Sequence, residues 1–541
     1  MIKKPDGQSG FQSFHRGRKM KKKYSVKTGN KIIVREYNYI PVRYILAAII
    51  TVLEVMAIIG ITVLLCLLIP YFYLALWATE IFCVIKIISS NDNPEYKIPW
   101  LLFVLILPIV GFMLYFIFYS RTFSKKYVRR LKRLYGEVYP ERDEVYFAAL
   151  KEENTTAHNQ AKLLCGLSGS HLFAHTKQQY FPLGEEMFKS MLTDLENAQN
   201  FIYLEYFIIE EGTFWNSILE ILKKKAQNGL DVRVVFDDIG CMSTLPGNYA
   251  KQLKKFGIKA TPFSRLKGQA NNEFNNRSHR KIMVIDGKIG YTGGVNIADE
   301  YINKIQRFGH WKDIGLRLEG EGVYELTKLF LIDFGVNVKE LPEHLPAEIL
   351  YPNTTQNEQG YLIPFGDGPA PIYRRRVAQS LIVDMLSNAK HYAYIMTPYL
   401  IIDNDMCLAL ETAAIKGVDI RIIVPHIPDK KIVFEMTKTF YQRLMKAGAK
   451  IYEYESGFVH AKCYLIDDEI AMVGTINLDY RSLVHHFENG VWMYRCSSIA
   501  KIRKDMEYTL QKSIFITEQM VKTNFLRRTL RAIVRIFAPL L

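Results

Sequence analysis

Gly457–Ser482 reads GFVHAKCYLIDDEIAMVGTINLDYRS, and Ser278–Tyr301 reads SHRKIMVIDGKIGYTGGVNIADEY. One spacing, H-x-K-x4-D-x6-G-x-x-N, runs through both. The later copy supplies His460, Lys462, Asp467, Gly474, Thr475 and Asn477; the earlier supplies His279, Lys281, Asp286, Gly293, Gly294 and Asn296. Alternate side chains of a strand share a face, so each copy predicts an imidazole beside an ammonium. The apolar residues between Lys and Asp (CYLI, IMVI) predict a buried strand. Asp467-Asp468 and Asp286-Gly287 are turn signals, and IAMVGT and IGYTGG read as return strands. Each copy therefore predicts a hairpin with its polar groups gathered at one end. An imidazole that attacks or moves a proton, next to a fixed positive charge, suits a phosphate ester.

The surroundings repeat too. Phe201–Ile209 (FIYLEYFII) is strand-like, Ser217–Gly229 is helical with a glycine stop, and Val232–Phe236 is a strand. Tyr392–Met396, Cys407–Gly417 and Ile420–Val424 give the same order, and NGLDVRVVFDDIG aligns with KGVDIRIIVPHIP. A repeat of about 180–190 residues is too long for a solenoid and predicts a duplicated α/β domain. The breaker-rich Asn353–Gly360 and Gly366–Pro371 mark the junction.

The remaining sequence points to a membrane. Tyr44–Ile88 is almost continuously apolar, interrupted by Glu54, Pro70, Glu80 and Lys86, and Trp100–Tyr119 is a further apolar run. Spans need about 20 apolar residues, which predicts helices at about 44–67, 70–88 and 100–119, the last kinked at Pro108 and Gly111. The net charge of +16 is concentrated: residues 1–43 carry +10 and residues 120–133 carry +7, so the rest of the chain carries −1. Such juxtamembrane clusters attract anionic headgroups, whereas a nucleic-acid groove would place them in the body. Both flanks are basic and so both favour the cytoplasm, which demands an even number of crossings against three apolar runs. The first run, with Glu54 inside it, is the candidate to be re-entrant or interfacial; alternatively the N-terminal tail crosses despite its charge. The seven cysteines include no C-x-x-C pair, which argues against a zinc or disulfide framework.

These residues resemble the phospholipase D superfamily and, within it, the bacterial cardiolipin synthases of the phospholipase D type. The resemblance extends over about 70–541, through IYLEYF, VVFDDIG, Trp311 and Asp313, TPYL, IRIIVP, the FEN of Phe487–Asn489 and the C-terminal APLL. It implies an α/β fold: two tandem phospholipase D-like αβα-sandwich domains sharing one active site, after N-terminal transmembrane helices. The expected order is a basic flexible tail (1–43), a transmembrane region (44–119), a basic juxtamembrane linker (120–165), domain 1 (166–350), domain 2 (351–520) and a basic amphipathic C-terminal helix (521–541).

The resemblance further implies phosphatidyl transfer from one phosphatidylglycerol to another through a phosphohistidine, giving cardiolipin and glycerol, with no cofactor and no metal. The catalytic set is His279, Lys281, Asp286, His460, Lys462 and Asp467, with His279 favoured as nucleophile and His460 as general acid. Lys281, Lys462, Asn296 and Asn477 would hold the phosphate. Gly293, Gly294, Gly474, Thr475, Glu300 and Glu488 support the site; Glu300 and Glu488, or Asp299 and Asp479, are alternatives to the motif aspartates for orienting the histidines. The expected partners are membrane lipids and an anionic membrane surface, not nucleic acid, at the bacterial cell membrane with the catalytic domains facing the cytoplasm. Rival readings are a phospholipase D or phosphatidylserine synthase with another acceptor, a nucleic-acid phosphodiesterase, and a catalytically dead scaffold.

Overall fold

The computed structural model describes residues 21–28, 31–38, 42–69, 71–90, 92–116, 141–265, 275–338, 358–370, 372–373 and 375–540. The basic part of the expected linker (120–133) and residues 353–357 of the domain junction lie outside these residues. Within the expected tail, Lys21–Thr28 (β1) and Lys31–Asn38 (β2) pair as an antiparallel hairpin.

Two apolar helices follow, Val42–Leu68 (α1) and Phe72–Ser89 (α2). Their large side chains face outward: Leu53, Leu67, Trp77 and Phe82 are all more than half exposed. Phe72–Ser89 has the length and apolarity to cross a membrane. The third apolar run is not one kinked helix. It divides into Pro94–Ile106 (α3) and Pro108–Leu114 (α4), which doubles back so that a Cβ on Gly111 would collide with the Phe103 carbonyl. Pro108 forces this break, because proline cannot extend the helical ladder and pushes the residue before it out of the helical region. Gly111 then permits the close approach.

α3 is fastened to the body of the protein. Asn93 caps its start and donates from Nδ2 to Asp403 at 3.0 Å, the Tyr480 hydroxyl donates to Glu95, and the Tyr480 ring meets Tyr96 edge-on at 5.1 Å.

The body holds two sheets of matching order. In the first, the spatial order is Thr176–Phe181 (β3), Gly315–Gly320 (β10), Ile289–Gly293 (β8), Lys281–Ile285 (β7), Phe201–Tyr206 (β4), Asp231–Asp237 (β5) and Lys259–Phe263 (β6). The second runs Tyr361–Asp367 (β11), Glu488–Tyr494 (β20), Ile470–Gly474 (β18), Cys463–Ile466 (β17), Tyr392–Met396 (β12), Asp419–Pro425 (β14), Lys450–Tyr454 (β15), with Ser513–Phe515 (β21) added at the edge, and Leu400–Ile401 (β13) and Leu478–Asp479 (β19) form a separate parallel pair. The predicted hairpins are present as β7–β8 and β17–β18, with every residue of β7 and β17 buried. Asp286, Gly287, Asp467 and Asp468 all take positive φ at their tips, a conformation aspartate tolerates and hairpin turns use. Gly229 and Gly417, at φ +90° and +97°, close equivalent helices in the two halves.

Alternation along the strands divides the core into layers. Ile202 and Leu204 face the helices Gly184–Glu196 and Thr213–Gln227, while Phe201 and Tyr203 face the helix Val323–Val338 (α5). That inner layer is continuous with Met396, Cys463 and Leu465 of the second sheet, and Ala393 and Ile395 face the outer helices, among them Lys431–Lys446 (α6). The helix Phe525–Ile536 (α7) ends the chain beside α6 and α3. Two sandwiches thus share one central core, and the edge where their motif hairpins meet carries the site.

Candidate active site

Backbone pairing between the halves sets the site. Gly457–Val459 (β16) runs parallel to His310–Lys312 (β9), and the His460 N–H donates to the Lys312 carbonyl at 2.7 Å. Reciprocally, the His279 N–H donates to the Phe487 carbonyl at 2.8 Å. Asp313 follows Lys312 and Glu488 follows Phe487, so each histidine lies beside an acid of the opposite half. His279 Nδ1 is 2.9 and 3.0 Å from the two oxygens of Glu488, and His460 Nδ1 is 2.7 Å from Asp313 Oδ2. With Nδ1 held by a carboxylate, Nε2 of each ring is the atom left for chemistry.

The lysines sit against the histidines, as the H-x-K spacing suggests, although the regular strands begin only at Lys281 and Cys463. Lys281 Nζ donates to the His279 carbonyl at 2.6 Å; Lys462 Nζ donates to the His460 carbonyl and lies 2.9 Å from His460 Nδ1. Both lysines are fully buried. Phe207 packs on His279 at 5.1 Å, and Tyr301 and Trp311 pack on His460 at 5.3 and 5.5 Å.

The motif aspartates do not face the histidines. Asp286 accepts the N–H groups of Gln199, Asn200 and Phe201, and Asp467 those of Lys390, His391 and Tyr392. Each stands at the far end of its strand from the lysine, about 15 Å away at the usual rise, and ties the hairpin to the neighbouring strand. The asparagines also have protein partners. Asn296 accepts from the Ile208 N–H and donates to the Tyr301 hydroxyl, and Asn477 Nδ2 donates to Asp479. Asp299 accepts the Thr213 and Phe214 N–H groups at the start of a helix, Asp479 accepts the Ser482 N–H, and the Glu300 carboxylate lies 3.8 Å from Arg307. Gly293, Gly294 and Gly474 allow close packing: a Cβ on Gly293 would meet the Ile314 carbonyl, on Gly294 Asp313, and on Gly474 the Asn489 carbonyl. Thr475 donates its hydroxyl to Glu488.

Asp313 carries no motif of its own. Its signal is topological: it lies two residues before β10 as Glu488 begins β20, and β10 and β20 are equivalent strands. The inserted segment around Ile302–Gly309 makes the two spacings unequal, so the correspondence is invisible in the linear sequence.

The site is cation-rich and buried. Burial, then Lys281, Lys462 and His460, hold His279 well below its ordinary value; burial and Lys462 hold His460 down at about 4, against the pull of Asp313. Burial lowers Lys462 to about 8 and holds Lys281 well below its ordinary value. Glu488 is raised to about 7 by burial, whereas His460 and Lys462 outweigh burial at Asp313 and lower it. Every one of these cations would be favoured by a bound anion. His279, His486 and Glu488 bring metal-ligand atoms within 4.8 Å of one another, but the adjacent lysines oppose a cation there.

Residues 191–306 and 382–510 match the family described as cardiolipin synthase, PLD-like domain, and residues 81–118 match phospholipase D-nuclease N-terminal. A Streptococcus mutans protein described as uncharacterized is 41% identical over 85% of this chain and 99% of its own length. Cardiolipin synthases of Halalkalibacterium halodurans and Alkalihalophilus pseudofirmus are 33% and 34% identical, over 86% and 85% of this chain and 92% of each relative. Among solved structures, a phosphatidylserine synthase of Haemophilus influenzae shares the fold, with a TM-score of 0.54 at 16% identity over 71% of this chain and 98% of that one.

Proposed function

The chain belongs to the cardiolipin synthase family of phospholipase D-like proteins, and on that premise we propose that it is a phosphatidyltransferase making cardiolipin and glycerol from two phosphatidylglycerol molecules. The observation that carries this reading is the crossed arrangement: two imidazoles, each held at Nδ1 by a carboxylate of the opposite half, with a buried lysine beside each.

His279 Nε2 attacks the phosphorus of the first lipid. The bond to glycerol oxygen breaks, and His460 Nε2–H supplies the proton that glycerol carries away. His460 then takes the proton from the headgroup hydroxyl of a second phosphatidylglycerol, whose oxygen attacks phosphorus. The P–N bond breaks and its electron pair returns to His279. Lys281 and Lys462 neutralise the non-bridging oxygens throughout, in a site that excludes water. The diester's charge offsets the lysines and restores the proton that burial removes from His460. Asn296 and Asn477 stiffen this site from behind, through Tyr301 and Asp479, and Asp286 and Asp467 fix the hairpins.

Substrate and enzyme meet at the bilayer. α1 and α2 cross it, and the α3–α4 hairpin enters and returns, which places the N-terminal basic segment and the body on one side, the cytoplasm. The re-entrant element is then the third apolar run rather than the first. The purified chain in phosphatidylglycerol vesicles, followed by lipid mass spectrometry, tests the reading. Cardiolipin and glycerol are expected, and His279→Ala should abolish both. Phosphatidic acid as the sole product would make the protein a hydrolase instead.

A further inference from the structure

α7 is folded inside out for a helix in water. Its apolar residues point outward, with Phe525 85%, Leu526 68%, Leu530 54% and Ile533 49% exposed, while its arginines turn toward the body. Arg531 lies 2.8 Å from Glu435 of α6, and Arg535 stacks over Phe440 at 4.6 Å. Such a helix needs an apolar medium on its outer side. The turn after it touches α3, with Phe537 5.7 Å from Phe103, so the exposed face continues the apolar surface of the membrane helices.

Behind that face lies a groove between α6, the segment Glu518–Thr523 and α7. Lys438, Lys446, Lys522, Arg528, Arg531 and Arg535 line it, against one acid, Glu518. Lys438 faces Glu453 at 3.7 Å and Arg531 has Glu435. Lys446, Lys522 and Arg528 have no acidic partner among the described residues. Unbalanced like charges around one concavity repel each other unless an anion sits among them. An amphipathic helix lying flat on lipid sits at the headgroup–acyl boundary, which would put this groove at the depth of the phosphate groups.

Resting on the membrane reading above, we propose that this groove is a second, non-catalytic site that holds the phosphodiester headgroup of an anionic phospholipid, with its acyl chains along the outer face of α7. The bound lipid neutralises the groove and ties the catalytic body to the bilayer beside the tether supplied by α3.

The full chain carrying His279→Ala, reconstituted in phosphatidylcholine nanodiscs containing a minor fraction of phosphatidylglycerol, tests this by native mass spectrometry of the released protein. Two phosphatidylglycerols per chain are expected, one in the catalytic site and one in the groove. Adding Lys446→Gln, Lys522→Gln and Arg528→Gln should remove one, weakening its retention about a hundredfold. Adding Lys281→Ala and Lys462→Ala instead should remove the other, so the two readings fail separately. The same charge loss at the exposed Lys177, Lys288 and Lys416 should change nothing. Unchanged retention in the groove variant, equal loss in the remote variant, or displacement by excess inorganic phosphate alone would each overturn the proposal.

Discussion

His279 Nδ1 sits 2.9 Å from Glu488 Oε2, a contact between residues of opposite halves. His460 and Asp313 repeat it with the halves exchanged, at 2.7 Å. Neither motif histidine finds its carboxylate within its own half, so each half-site is incomplete alone. Glu488→Gln and Asp313→Asn keep the shape but remove the charge that fixes the imidazole tautomer and steadies its cation. Each is expected to lower kcat by about 10²–10⁴-fold. Asp286→Asn and Asp467→Asn instead weaken three backbone hydrogen bonds each. Their expected signature is a lower melting temperature, about 1–3 kcal/mol of stability, with kcat close to normal in the folded fraction.

The two histidines are not interchangeable if His279 is the nucleophile. His460→Ala should still attack an activated, phosphorus-labelled lipid whose leaving group needs no proton, and label should remain on the protein in an acid-labile form. His279→Ala should carry none. Label on His279→Ala and none on His460→Ala would reverse the assignment.

Lys462 gives the site an alkaline limb. Its ammonium is lowered from 10.5 to about 8 by burial, so above about pH 8 the empty site loses charge and KM should rise. The stability consequence has a definite sign. Between about pH 8 and 10.5 the unfolded chain holds a proton the folded one has lost, so stability of the empty protein rises with pH over that window. Lys462→Met should flatten that rise and, by removing a buried ammonium, stabilise the empty protein at pH 7 by up to about 3 kcal/mol, while eliminating activity. Melting curves across this range check it.

Gly294→Ala probes the floor of the site. The new Cβ would collide with Asp313 and stand 3.0 Å from the His460 carbonyl, displacing the acid from the imidazole. A loss of at least about tenfold in kcat is expected with the protein still folded. Gly247→Ala, where a Cβ meets open space, is the matched control and should be near neutral.

On the topology proposed above, two crossings plus a returning hairpin would put both basic segments on the same side. Single cysteines at Ser9 and at Ser497, in a chain otherwise free of cysteine, should both be blocked from a membrane-impermeant thiol reagent in intact cells and both react after lysis. Labelling of position 9 alone in intact cells would instead require an odd number of crossings.

The sequence by itself determined the duplicated α/β architecture, the two hairpins and the His–Lys pairs, because strand alternation, turn chemistry and spacing are local and leave a periodic trace. Tyr392–Met396 is a strand where its apolar run predicts one, and Gly229 and Gly417 stop their helices for a reason visible in one residue. What the tertiary structure decided was everything that crosses between segments. Asp286 and Asp467 lie in the motifs, yet their carboxylates go to backbone N–H groups of a neighbouring strand. Asp313 lies in no motif, yet it holds His460, because β16 runs beside β9. The third apolar run reads as one kinked helix, but the break that Pro108 imposes at Leu107 and the missing Cβ of Gly111 fold it back on Phe103. Hydrogen-bond partners depend on which strands become neighbours, and a linear sequence records that only through the complete packing of both halves.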